Sequence, residues 1–126
     1  MTGDDFKNRP LRVRVGFALA GWRSGWRRES SFRTHCLFAA AAGVALLVLR
    51  PAPVWWALVA VTIALVLALE LINSAMESVI DLLHPELHPE IKVIKDMVAG
   101  AVLIISVAAL VVAAAMVVDS FWGLAL

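Results

Sequence analysis

Cysteine is almost missing from this chain: Cys36 is the single one. A lone thiol excludes an intramolecular disulfide and a cysteine-based metal cluster, which leaves Cys36 to be read as a small apolar helix residue. Neither a Walker loop nor a kinase glycine loop occurs, so nucleotide chemistry here would need another constellation. Basic residues are scarce beyond the first third of the chain. Lys7, Arg9, Arg12, Arg14, Arg23, Arg27, Arg28 and Arg33 precede the first apolar run, and only Arg50, Lys92 and Lys95 follow it. The net charge of +1 hides this asymmetry, which reads as a membrane-topology signal and gives no reason to invoke nucleic acid. No cleavable signal peptide is expected, because the first apolar run lies behind a long basic segment. Internal repeats, low-complexity tracts and a soluble domain are also lacking.

What is there is apolar. Of 126 residues, 62% are hydrophobic and the mean hydropathy is +0.88, whereas soluble domains average roughly 45–50% apolar residues. The expected class is an all-α integral membrane protein. Three spans are predicted at about 32–49, 54–73 and 97–118. The first is closed by Arg50-Pro51-Ala52-Pro53, and the second opens on Trp55 and Trp56 as interface anchors. Between the second and third, His84-Pro85-Glu86-Leu87-His88-Pro89 should break the helix.

Ahead of the spans, Leu11, Val15, Ala18, Leu19, Trp22 and Trp26 fall within about 100° of helical arc, with Arg9, Arg12, Arg23 and Arg27 beside them. That pattern predicts an amphipathic helix lying in the membrane interface. Gly16, Gly21 and Gly25 suggest a break or a close helix contact within it. The expected division is therefore 1–31, a cytoplasmic tail and surface helix, and 32–126, a three-helix transmembrane domain. The basic bias puts the N-terminus in the cytoplasm, and three crossings put the C-terminus on the opposite side.

The most informative stretch is Glu70-Leu-Ile-Asn73-Ser74-Ala-Met-Glu77-Ser-Val-Ile-Asp81. It continues from the second apolar run with no intervening Gly or Pro, so both belong to one predicted helix. At about 100° per residue, Glu70, Asn73, Glu77 and Asp81 fall at roughly 0, −60, −20 and +20°. Three carboxylates and an amide share one stripe at a membrane boundary. A carboxylate there costs on the order of 2.5–3.5 kcal/mol, so a metal, a lysine or a ligand is expected to compensate it. The alternative is a wet extension of a helix whose membrane part ends near Leu69.

Phosphoryl transfer consists mainly of positioning and charge stabilisation, and the chain offers the parts. Glu29 and Glu77 could hold Mg²⁺, Lys95 could contact phosphates, and Glu70 could act as base toward a lipid hydroxyl.

The 70–81 run, the following Glu86-Leu-His88 and the run Lys95-Asp96-Met97-Val-Ala99-Gly100-Ala101-Val102 together resemble the signature of the prokaryotic diacylglycerol kinase family. Upstream, Gly21-Trp22-Arg23-Ser-Gly-Trp26-Arg-Arg-Glu29 and Phe32-Arg33 extend the likeness. The resemblance implies a homotrimer of three-span subunits in the bacterial inner membrane, with cytoplasmic active sites shared between subunits. It further implies a Mg-ATP-dependent lipid kinase that makes phosphatidic acid from diacylglycerol. Glu70 matches the catalytic base, and Glu29 and Glu77 match the ligands of the Mg²⁺ on ATP. Phe17, Glu29, Glu77, Glu86, His88, Lys95 and Asp96 match the nucleotide site. Asn73 matches an orienting amide, with Asp81 as further support, while Arg23, Trp26, Phe32, Glu70 and Ala99 match positions near the lipid.

Three departures stand out. Pro10 occupies the register of a nucleotide-binding basic residue, for which Arg9 or Arg12 could substitute. Phe17 lacks the tyrosine hydroxyl. Phe32-Arg33-Thr34-His35 looks more like the undecaprenol kinase branch, which makes undecaprenol the alternative acceptor. A proton-coupled transporter using Glu70 is the non-enzyme alternative, although its ionisable residues crowd one boundary rather than the mid-membrane. A holin-like scaffold would leave the polar stripe unexplained.

Overall fold

A computed structural model describes residues 7–123; the expected start of the N-terminal tail lies outside the described residues. Among them are four helices: α1, Leu11–Arg28; α2, Ser30–Leu49; α3, Pro53–Leu83; and α4, Pro89–Trp122. Helices α2, α3 and α4 are each long and apolar enough to cross a membrane. The stripe-bearing stretch does continue the second apolar run as one unbroken helix.

At 1.5 Å per residue, the 31 residues of α3 and 34 of α4 reach about 46 and 51 Å, well beyond a hydrocarbon core of about 30 Å. Both helices therefore overhang the spans expected at 54–73 and 97–118. Pro89 starts α4 instead of merely breaking the chain, because a first-turn residue needs no N–H partner. His88 completes that start, its Nδ1 accepting the Glu90 backbone N–H at 3.1 Å.

One extended residue, Glu29 (φ −114°, ψ 111°), separates α1 from α2. Its N–H donates to Gly25 O at 2.9 Å, and its carbonyl accepts the Arg33 N–H at 3.2 Å. The Arg33 guanidinium turns back and donates to the carbonyls of Trp26 and Arg27 at 2.8 and 3.3 Å. A cation thus caps the negative end of α1. The helix runs unbroken through Gly16 and Gly21, so the expected break does not occur there. At Gly25 the expected close contact does: a Cβ would stand 2.6 Å from Leu71 Cδ2 and 3.4 Å from the Phe32 ring. The missing side chain lets α1 approach α3.

The α2–α3 turn uses Arg50 in the left-handed region (φ 45°), its N–H donating to Leu46 O at 3.0 Å. Beside this turn lies the buried core, where Leu46, Trp55, Val59 and Met116 meet. Helices α3 and α4 pack extensively, whereas outward residues such as Leu37, Phe38, Leu47, Ile104 and Leu110 stay exposed. Lipid is as apolar as these side chains, so their exposure carries no penalty in a bilayer.

Candidate functional site

Among the described residues Glu70 is the one buried charged side chain, only 4% exposed. It lies on α3 where that helix passes the beginning of α2. Ser31 Oγ donates to Glu70 Oε2 at 3.1 Å. His35 Nδ1 lies 2.9 Å from Glu70 Oε1, a close contact without hydrogen-bond alignment. Ser31 and His35 are four residues apart on α2 and so share one face. Each carboxylate oxygen consequently has its own neighbour.

Sequence spacing singles out neither partner for this role, and His35 stands there only as a marker of the undecaprenol kinase branch. A signal existed in the i, i+4 pair of polar residues entering an apolar span. Their target could not be read from it, because Glu70 is 39 residues from Ser31 in the chain.

The rest of the stripe divides between two helices. Asn73 Oδ1 is buried and without a hydrogen-bond partner. Glu77 is half-buried, about one turn farther along α3. Asp81 closes the stripe by accepting a hydrogen bond from Lys95 Nζ on α4 at 2.7 Å. Eleven residues, about 16 Å of helix axis, separate it from Glu70. Lys95 precedes the 97–118 stretch and so lies in the overhang of α4. The Asp81 hydrogen bond raises the Lys95 pKa; desolvation opposes it, and the Asp81 and Glu77 charges add smaller upward effects. Asp96, adjacent in sequence, does not share this pair; it accepts from Lys92 Nζ at 2.6 Å along α4.

Glu29, at the α1–α2 junction, borders a groove of about 490 Å³ together with Arg28, Gly25, Ser74 and Ser78. A second groove, about 400 Å³ and almost wholly apolar, runs between α2, α3 and α4 from His35 past Ala39, Ile63 and Val66 to Ala113. The described residues bring together no cluster of three His, Cys, Asp or Glu side chains suited to a metal.

The remaining sequence candidates are more dispersed. Glu86 and His88 are exposed in the α3–α4 loop, with one His88 nitrogen occupied in capping α4. Phe17 is half-buried on α1, and Arg23 and Trp26 are exposed there. Phe32 is buried, its ring against Gly25, so it faces inward. Ala99 is exposed, and a Cβ at Gly100 would meet nothing within 4 Å in this chain. Pro10 is the residue before α1, its carbonyl accepting the N–H groups of Val13 and Arg14 at 3.0 and 3.2 Å.

The arrangement can hold an oriented carboxylate at the edge of an apolar groove, with a lysine and further carboxylates toward the end where α3 and α4 are joined by their loop. A family model described as "Prokaryotic diacylglycerol kinase" matches residues 16–117, most of the chain. Among curated proteins no match is found.

Proposed function

Because the chain belongs to the prokaryotic diacylglycerol kinase family, we propose that it transfers the γ-phosphoryl group of ATP to the primary hydroxyl of diacylglycerol, giving phosphatidic acid and ADP. The observation that carries this reading is the buried Glu70 carboxylate, held from two sides by α2 where the apolar groove begins.

In this reaction Glu70 takes the proton of the lipid hydroxyl as its oxygen forms the new bond to the γ-phosphorus. The bond from that phosphorus to the β–γ bridging oxygen breaks, and its electron pair leaves with ADP. Lys95 offsets charge on the phosphates, held toward α3 by Asp81. Phe17, Glu86, His88 and Asp96 line the nucleotide side, and Asn73 orients the reacting groups. Arg23, Trp26 and Ala99 border the lipid, and Phe32, buried against Gly25, supports that side through the packing of α1 on α2.

Magnesium is bound through one or two carboxylates plus substrate phosphates rather than by an all-protein cage. Glu29 and Glu77, with the unpartnered Asn73 Oδ1 nearby on the same stripe, are of the right donor chemistry to hold it. When bound, Mg²⁺ neutralises charge on the phosphate oxygens. The exposed apolar faces suit a homotrimer in the bacterial inner membrane, α1 lying on the cytoplasmic surface and the C-terminus on the far side. The stretch Phe32-Arg33-Thr34-His35 supports undecaprenol as a second reading of the acceptor.

The test is phosphate transfer by the detergent-purified protein, run in parallel on diacylglycerol and undecaprenol, with Mg²⁺ present or chelated. Metal-dependent phosphatidic acid is the expected product. Product from undecaprenol alone would reassign the acceptor, and a folded protein inactive on both would overturn the kinase reading.

A further inference from the structure

Glu70 is buried, yet the reaction proposed above asks one of its oxygens to meet a lipid hydroxyl with defined geometry. A carboxylate on three rotatable bonds is not fixed by its own helix. Its orientation is set from α2, where Ser31 Oγ holds Oε2 at 3.1 Å and His35 Nδ1 stands 2.9 Å from Oε1. Two lone pairs facing each other at that distance out of water would repel; the contact is not aligned as a hydrogen bond here, and a turn of the imidazole about its last rotatable bond would direct an Nδ1–H at Oε1. Which imidazole nitrogen carries a proton is decided by the bond it makes. The His35 side chain retains 24% exposure against 5% for that of Glu70, and it borders the apolar groove between α2, α3 and α4. It thus stands between the groove and the base.

Resting on the kinase reading, we infer that His35 is the positioning residue of Glu70: its Nδ1–H fixes Oε1 and leaves the carboxylate aimed at the hydroxyl of a lipid whose chain occupies the groove. The role belongs to Nδ1 and not to the ring as apolar filling. An asparagine at this position places its amide nitrogen near the Nδ1 location, whereas a glutamine amide reaches the Nε2 location. The two substitutions separate directed hydrogen bonding from bulk.

The experiment combines two readouts on the full-length protein in detergent–lipid micelles. The first is the ¹⁵N spectrum of histidine-labelled protein without nucleotide. Of its three histidines, His35 is identified by the signal lost in His35→Asn, and its Nδ1 is expected to carry the proton. The second is steady-state kinetics. His35→Ala should lower kcat roughly ten- to a hundredfold, as misplacement of a reacting group does, with the KM values for ATP and lipid within about twofold of the unmodified protein. His35→Asn should restore most of the rate and His35→Gln little of it. If His35→Ala does not fold, the Asn and Gln variants decide.

A bare Nδ1 in an active protein overturns the inference alone. So does a raised lipid KM with unchanged kcat, which would make His35 only a wall of the groove. An unmodified chain that phosphorylates neither lipid overturns both the kinase reading and the inference built on it.

Discussion

Trp55 Nε1 donates to Asp119 Oδ2 at 2.8 Å, joining the first turn of α3 to the last turn of α4 across 64 residues. Trp55 is almost fully buried, beside Leu46, Val59 and Met116, so the indole both fills the core and satisfies one oxygen of a carboxylate whose other oxygen, Oδ1, is buried without a hydrogen-bond partner. Glu70 and its partners lie near the middle of α3, fifteen residues or about 22 Å of helix axis from Trp55. Stability and proposed chemistry are therefore separated along α3, the first shared with α4 and the second with α2.

Trp55→Phe keeps an aromatic ring but removes the N–H, leaving Asp119 without its partner. A hydrogen bond to a charged group contributes about 1.5–3 kcal/mol, so the variant should unfold measurably earlier in a thermal melt of the detergent-solubilised protein. Its specific phosphate-transfer rate at low temperature should stay within about twofold of the unmodified protein. An unchanged melting midpoint would show that the pair adds nothing to stability.

Glu70→Gln retains the shape and an oxygen for Ser31 but cannot take up a proton as a carboxylate does. General-base catalysis is worth about 10²–10⁴-fold in rate, and turnover should fall by at least about a hundredfold while the melting midpoint changes little. Phosphate transfer at saturating ATP and lipid is the measurement. An active Glu70→Gln variant would remove Glu70 from the proton-transfer step.

The helices were legible in the sequence because apolar runs, Pro51, Pro53 and Pro85 mark them directly, and the 70–81 stripe was legible because helical spacing is local. What could not be read was which helix each stripe residue would face. Glu70 meets Ser31 and His35 on α2, whereas Asp81 meets Lys95 on α4. Those choices follow from how α2 and α4 pack around α3, and the spacing of residues along α3 carries no trace of them. The early start of α4 was obscured for another reason. The proline that reads as a breaker also fits a first turn, and His88 supplies the cap that selects the second outcome.

The Asp81–Lys95 pair is expected to matter for ATP and little for folding. Asp81 is 65% exposed, and exposed ion pairs are weak. Asp81 raises the Lys95 pKa, so while Asp81 is ionised its contribution is complete from about pH 6 up to the ordinary lysine value of about 10.4 and is lost on the alkaline side as pH rises through the still higher folded value. Asp81→Asn should therefore leave the pH dependence of the melting midpoint unchanged between roughly pH 6 and 9. The KM for ATP should rise several-fold, because Lys95 is no longer held against α3. Initial rates across ATP concentrations would check this; an unmoved KM would mean that Asp81 does not position Lys95.

Glycines on α1 allow a last contrast between backbone preference and packing. An added Cβ at Gly16 or Gly21 meets nothing within 4 Å, whereas at Gly25 it meets Leu71 Cδ2 at 2.6 Å. Alanine in place of an unconstrained helical glycine gains about 1 kcal/mol, so Gly16→Ala and Gly21→Ala should raise the melting midpoint or leave it unchanged. At Gly25 the same gain is opposed by overpacking, typically about 1–3 kcal/mol, and the flexible end of Leu71 can yield only by moving into the space between α1 and α3. Gly25→Ala should come out neutral to about 2 kcal/mol destabilising, and Leu71→Ala in the same chain should remove most of that penalty by vacating the contact. Melts of the three single variants and the double variant settle the point. If all three alanines stabilise equally, α1 is not packed on α3 through Gly25, and the position of Glu29 beside the Ser74–Ser78 face loses its support.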